Sequence, residues 1–200
     1  MQLFDEVPRI EGEWILLREI VASDAEALGA FARDEAIYRL EPTFLYERRY
    51  SDPFVVIGRM RAECFDTKDS ILLAVCWRDK PDQMLGIAEL YAYEERKPKV
   101  SLGYRLAPQW WGQGIATEVV GVLKRYLLDE VRMRTITAHV MCQNVASVRV
   151  MAKNGFLPLY RGVWEDWGRE SLVQVVKYMY KRRWEEGYPD PYGKLTGDLP

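Results

Sequence analysis

Between residues 109 and 118 the chain reads Gln-Trp-Trp-Gly-Gln-Gly-Ile-Ala-Thr-Glu, and here residue type and spacing point to definite chemistry. Gly112 and Gly114, two apart, free the backbone for positive φ and for close approach by another molecule. A helical pattern over 116–130 follows at once, and a helix start leaves its first N–H groups without intrahelical partners. Those donors and the positive end of the helix dipole form an anion site, and a pyrophosphate uses several donors at once. No Lys-Ser/Thr follows the glycines as in a P-loop, and the third glycine of the dinucleotide fingerprint is absent. Nucleotide hydrolysis and hydride transfer lose support, which leaves a phosphate cradle for a ligand of another kind.

Other groups are judged by whether they could serve that cradle. Asn144 and Ser147 stand ahead of a helical pattern, where each is an ordinary N-cap and equally a hydrogen-bonding group for a ligand. Glu89 alternates with Ile87 and Tyr91, so it shares one face of a strand with them. His139, the sole histidine, also lies on a strand, where a structural role is the commoner one. Cys64, Cys76 and Cys142 include no C-x-x-C, form neither a disulfide framework nor a zinc quartet, and read as buried small hydrophobes; no metal is expected.

The elements that must position these groups can be read in chain order. Residues 14–18 form an apolar run that predicts a first strand. Ser23 or Asp24 then caps a helix whose apolar stripe is Ala27, Leu28, Phe31 and Ala32. Residues 41–51 read as a loop with a short helical piece. Asp52-Pro53 is a cap followed by proline at the first helical position, ahead of a face running through Phe54, Ile57, Met60, Arg61 and Cys64. Residues 70–78, 84–93 and 100–107 predict a three-strand meander, with a turn at 79–83. After the glycine loop, Ile115, Val119, Val122, Leu123, Tyr126 and Leu127 define the buried face of a helix. A strand over 135–141, a helix with Val148, Met151 and Ala152 inward and Gly155 just past its end, and a strand over 172–179 complete the order. This predicts one α/β (α+β) domain over residues 1–180 with a mixed sheet, followed by a tail at 181–200.

Composition narrows the class. With 28 basic against 30 acidic residues the net charge is −2, no electrostatic footprint for nucleic acid. No apolar run reaches bilayer-spanning length, and the acidic start at residues 1–6 lacks a signal-peptide layout, so a cytoplasmic protein without nucleic-acid or membrane partners is expected.

Gln109-x-x-Gly112-x-Gly114 resembles the pyrophosphate loop of the GNAT superfamily of acetyl-CoA-dependent N-acetyltransferases, and Ile115-Ala116-Thr117-Glu118 resembles the branch containing the ribosomal-protein N-terminal alanine acetyltransferases. Asn144-x-x-Ser147 followed by Lys153-x-Gly155-Phe156 is similar to a second block of that branch, and the likeness spans roughly residues 12–180. The resemblance implies a GNAT fold: a mixed central sheet with helices on both faces and splayed strands forming the acetyl-CoA cleft. It implies cofactor-binding roles for Gln109 and for the backbone N–H groups of Gly112, Gln113, Gly114, Ile115 and Ala116. It also implies that the backbone of Tyr104 and Leu106 pairs with pantetheine. Asn144 would bond the pantetheine arm, Ser147 would protonate the departing thiolate, and Lys153 would lie near the adenosine end.

The branch commonly carries a glutamate eight positions before the loop's first residue; here that position is Ser101, which cannot act as a carboxylate base. Glu89, His139 and Glu41 are the substitutes. An α-amino group of pKa ~7.8 is about a third neutral at pH 7.5, whereas lysine at ~10.4 is about a thousandth neutral. Weak base assistance therefore costs about a factor of 3 for the first and ~10³, or about 4 kcal/mol, for the second, which favours a low-pKa amine or a water-relayed base. The leading reading is acetyl transfer from acetyl-CoA to a primary amine, a peptide N-terminus or a small amine, by direct attack in a ternary complex. Trp110, Trp111, Trp164 and Trp167 are candidates for an acceptor groove. A non-catalytic acyl-CoA-binding module is the alternative that Ser101 keeps open. The aromatic tail, 184–192, is expected to be disordered, to cover a cleft or to pack on a second subunit, which leaves a homodimer open.

Overall fold

A computed structural model describes residues 2–40, 45–167 and 171–182. Its strands are β1 (Ile10–Glu11), β2 (Ile15–Glu19), β3 (Ser70–Trp77), β4 (Met84–Glu94), β5 (Lys99–Leu106), β6 (Thr135–Met141), β7 (Leu157–Glu165) and β8 (Val173–Lys181). The helices are α1 (Ala25–Arg33), α2 (Glu35–Tyr38), α3 (Pro53–Met60), α4 (Ile115–Arg125) and α5 (Val145–Lys153). One sheet takes all the strands, in the order β1-β2-β3-β4-β5-β6-β8-β7.

Only the β5–β6 junction is parallel among these pairings, and it is short: Lys99, Val100 and Ser101 pair with Thr135, Ile136 and Thr137. Beyond Ser101 and Thr137 no pairing continues, so the two strands part and open the sheet. The period of two along each strand then sorts side chains to opposite faces. Leu73, Ala88, Leu102, Ile136 and Val176 join Val119, Leu123 and Leu127 of the α4 region in the larger core. Leu16, Leu72, Ala74 and Ile87 meet Leu28, Phe31, Val56 and Met60 of α1 and α3 on the other face. The expected mixed sheet with helices on both faces is therefore the architecture observed.

All six residues of the predicted stripe on α4 are buried, although the α-helix gives way to a π-helical turn at Tyr126–Glu130. Elsewhere the structure corrects the pattern. On α1 the buried residues are Ala25, Leu28, Gly29 and Phe31, and Ala27 is exposed. The cause lies at Gly29, where a Cβ would come within 3.2 Å of the Pro53 ring, so α3 is seated against that position. On α3 the inward residues are Val56 and Met60, continued by Cys64, while Phe54 is 63% exposed. The apolar run 54–57 holds two candidate faces, and periodicity alone does not choose between them. On α5, Met151 is buried as expected and Ala152 is exposed. The strand β7 was not predicted. Pro158 and Gly162 demote that run in sequence, and the structure accommodates them at a sheet edge with register shifts on both sides of Tyr160.

Candidate active site

The glycine loop is built at the end of β5. Pro108–Trp110 make one 3₁₀ turn, and two side chains fasten the loop after it. The Trp111 indole N–H donates to the Leu106 carbonyl at 2.7 Å, and Gln113 Nε2 donates to the Gln109 carbonyl at 2.8 Å. Gly112 and Gly114 take φ of 73° and 85°, left-handed values that a side chain would strain. A Cβ at either position would point into open space, so the reason for glycine is backbone conformation and approach rather than crowding. Thr117 and Glu118 donate to the Gly114 carbonyl, whereas the N–H groups of residues 112–116 have no partner among the described residues. Glu118 also ties α4 to the β1–β2 hairpin by accepting the Trp14 N–H at 3.0 Å.

These donors edge a cavity of about 340 Å³ lined by Tyr104, Leu106, Gly112, Gly114, Ile115, Ala116, Asn144, Ser147 and Lys153. Gln109 and Gln113 lie outside that lining. The Ala107 N–H bonds the Leu85 carbonyl, so by antiparallel alternation Leu106 and Tyr104 sit at non-bonded pairs with β4. Their backbone groups therefore face the opening towards β6, except that Trp111 already holds the Leu106 carbonyl. A run of N–H donors beside the edge where β5 leaves β6 fits an extended ligand with a pyrophosphate, which is the shape of coenzyme A. Trp110 and Trp111 border this cavity, and Trp110 also packs edge-on against Trp77.

Where β5 and β6 part lies a throat of about 50 Å³. It shares Tyr104, Arg105, Asn144 and Ser147 with the donor cavity, and Glu89, Tyr91, His139 and Trp167 with a larger cavity opposite. Asn144 caps α5, its Oδ1 accepting the Ser147 N–H at 3.0 Å. The Tyr104 hydroxyl donates to the Ser147 hydroxyl at 3.0 Å. Lys153 borders only the donor cavity among the three.

The opposite cavity holds about 1080 Å³ and is walled by Tyr46, Arg48, Arg49, Asp69, Glu89, His139, Glu165 and Trp167, among others. Glu89 accepts from Arg105 Nη1 at 3.0 Å, and its side chain is 15% exposed. Burial pushes its carboxyl above the ordinary 4.5, an effect that Arg105 only partly offsets. His139 lies 3.3 Å from Glu165 through Nδ1, and Glu165 is further held by Lys177 at 2.7 Å and the Trp167 indole at 2.9 Å. Burial lowers the imidazole's proton affinity more than Glu165 raises it, which favours the neutral ring. Ser101 is buried and hydrogen-bonds Thr137 at 2.8 Å, tying together the last pair before the strands separate. Its place in the fold is structural.

Glu41 and the aromatic tail lie outside the described residues. Trp167 is buried against the throat, whereas Trp164 is 60% exposed on β7 and borders none of these three cavities. Sequence reasoning missed Arg105, Glu47 and Glu165. A charge inside a central strand is a signal that a partner exists, but nothing in the sequence identifies the partner as Glu47, 58 positions away. No described helix is long and apolar enough to cross a membrane.

Comparison with known proteins agrees with this layout. A family model described as Acetyltransferase (GNAT) domain matches residues 15–157. An uncharacterized N-acetyltransferase of Bacillus subtilis (strain 168), YoaA, is 29% identical over 152 residues, which is 74% of this chain and 82% of that protein. A GNAT-family acetyltransferase from Bacillus anthracis superposes with a TM-score of 0.73 at 18% identity, covering 88% of this chain and 99% of the other. The microcin C7 self-immunity acetyltransferase MccE, solved with acetyl-CoA and AMP, gives 0.72 at 15% identity over 84% and 93% of the two chains. The superpositions speak for the fold, and the family model covers most of the chain, including the loop and both strands of the throat. The chain belongs to the GNAT acetyltransferases and carries out acetyl-CoA-dependent acetyl transfer.

Proposed function

We propose that this enzyme acetylates a primary amine by direct attack within a ternary complex, with a low-pKa α-amino group of a peptide or protein as the first acceptor class and a small amine as the second. The observation that carries this reading is the throat, which shares lining residues both with the cavity at the glycine loop and with the cavity at Glu89 and His139. Two substrates can then be held at once, with their reacting atoms meeting between β5 and β6.

Acetyl-CoA supplies the acetyl group as a thioester. The unpartnered N–H groups of residues 112–116 bind its pyrophosphate, and the inward backbone of Tyr104 and Leu106 orients the pantetheine arm alongside Asn144. Gln109 and Gln113 act by shaping the loop, and Lys153 adds positive charge at the cavity's rim. Glu89 takes the proton that the amine nitrogen loses as it bonds the carbonyl carbon and the C–S bond breaks. Ser147 gives a proton to the departing sulfur and Tyr104 resupplies Ser147 through their hydrogen bond; Glu89 then releases its proton to solvent and Tyr104 regains one from solvent, which resets the site. A second reading places His139 as the base, because Glu165 beside Nδ1 orients the ring and leaves Nε2 as the acceptor.

The acceptor class is tested by thiol release with acetyl-CoA against a panel of amines that includes peptides with Ala, Ser or Met termini, lysine side-chain analogues and polyamines. Turnover highest on amines of pKa near 8 is expected. Turnover confined to amines of pKa above 10 would overturn the preference for an α-amino group.

A further inference from the structure

Arg105 stands on β5 between the two residues whose backbone faces the donor cleft, and its side chain reaches the acceptor face. Nε and Nη2 bond Glu47 Oε1 and Oε2 at 2.5 and 2.6 Å, a bidentate pair, while Nη1 alone bonds Glu89 at 3.0 Å. The Glu47 side chain is 0% exposed and accepts the Tyr38 hydroxyl at 3.1 Å, and the Arg48 guanidinium lies 4.4 Å over the Tyr38 ring. One buried guanidinium therefore serves two carboxylates, and serves them unequally.

Among the described residues, the surroundings of Glu89 bring it no further positive charge. Arg48 and Arg49 at the cavity wall are turned to Glu35 and Glu63. Asp69, ahead of β3, and Cys64, on the π-helical turn after α3, bring no positive charge. His139 is paired with Glu165, which Lys177 holds in turn; Asp166 beside them and Tyr91, on Glu89's own strand, are also without positive charge.

We propose that Glu47 and Arg105 are positioning residues for Glu89: Glu47 engages the guanidinium through two N–H groups and offsets its charge, so Arg105 fixes the Glu89 carboxyl in place through one hydrogen bond. The inference rests on Glu89 being the base. It explains why a carboxylate bonded to arginine can still accept a proton from an amine. The directions of proton affinity agree. Burial alone would raise Glu47, but Arg105 brings it below the ordinary range, whereas Glu89 stays above it beside the same cation.

The test is the pH profile of kcat/KM with acetyl-CoA and the best amine from the panel, for the full chain and for Glu89→Gln, Glu47→Gln and Arg105→Lys. Glu47→Gln frees the guanidinium for Glu89 and is expected to move the acidic limb down by about one pH unit. Arg105→Lys, a point charge unable to bridge both carboxylates, is expected to move it up. In both variants the acetyl-CoA dissociation constant should remain that of the wild type. Glu89→Gln should abolish the limb. If it does, while Glu47→Gln and Arg105→Lys leave the midpoint unmoved, the positioning role is overturned and Glu89 stands as the base. If Glu89→Gln leaves the limb intact, the base assignment itself falls. Should Glu47→Gln fail to fold, an unmoved or lowered midpoint in Arg105→Lys still overturns the inference.

Discussion

On the face that carries the glycine loop, the groups offered to a ligand are mainly backbone: the N–H groups of residues 112–116 and the inward edges of Tyr104 and Leu106. On the opposite face they are side chains from separate elements: Glu47 from a one-turn helix, Glu89 from β4, Arg105 from β5, His139 from β6 and Glu165 from β7. Backbone donors recognise the invariant part of a donor substrate and tolerate side-chain change. Side-chain clusters can be re-tuned one residue at a time. The two faces should therefore fail in different ways when mutated, the donor face through acetyl-CoA affinity and the acceptor face through turnover and its pH dependence.

The largest effect is expected on the acceptor face. Glu89→Gln should lower kcat/KM by ~10², the low end of a general base's usual contribution, because an amine that enters neutral, at a cost of only about a factor of 3, still needs an acceptor for the proton it loses in the attack; acetyl-CoA affinity by calorimetry should stay intact. If His139→Gln shows that loss instead, the base is the imidazole. On the donor face, Gly112→Ala and Gly114→Ala place a side chain at left-handed φ, costing roughly 1–2 kcal/mol each. Loops that relax to escape that strain lose aligned donors, so the KM for acetyl-CoA should rise about tenfold with the amine KM unchanged. A rise in the amine KM alone would break the division between the faces.

Ser147→Ala tests the throat itself, where both faces contribute. A thiol of pKa ~8.5 leaves readily near neutral pH, so the expected loss in kcat is about tenfold or less, growing as pH falls. Tyr104→Phe should lose less, because it removes only the resupplying hydroxyl. The smallest effect belongs to Trp111→Phe, which keeps a ring but releases the Leu106 carbonyl. A net hydrogen bond of about 0.5–1.5 kcal/mol predicts a change of a few-fold in acetyl-CoA KM and none in the pH profile.

The same contrast explains what could be read before the structure. The donor site lies in one short stretch: two glycines, a helix start and a strand before it are local features, and the stripe from Ile115 to Leu127 on the helix that follows was read correctly residue by residue. Of the throat, Asn144 and Ser147 are legible through the resemblance of their block to a known family, although Asn144 also spends its side-chain oxygen capping α5; the opening itself is not. The acceptor side was named only in fragments, Glu89 and His139 without their partners. Arg105 joins residues 47 and 89, and Glu165 joins residues 139 and 177, through pairings that exist only once the sheet is assembled. Strand β7, which carries Glu165, was itself hidden by Pro158 and Gly162. Ser101 illustrates the reverse case. Its lack of a carboxylate raised the possibility of a non-catalytic module, but the fold uses that position to close the sheet and assembles titratable groups on neighbouring strands.

The central claim is that donor and acceptor occupy opposite faces simultaneously and meet in the throat. Initial rates measured over a grid of acetyl-CoA and amine concentrations test it most directly. Intersecting double-reciprocal lines are predicted, with a desulfo analogue of acetyl-CoA competing against acetyl-CoA but not against the amine. Parallel lines, the pattern of an acetyl group parked on the enzyme between two separate visits, would contradict it.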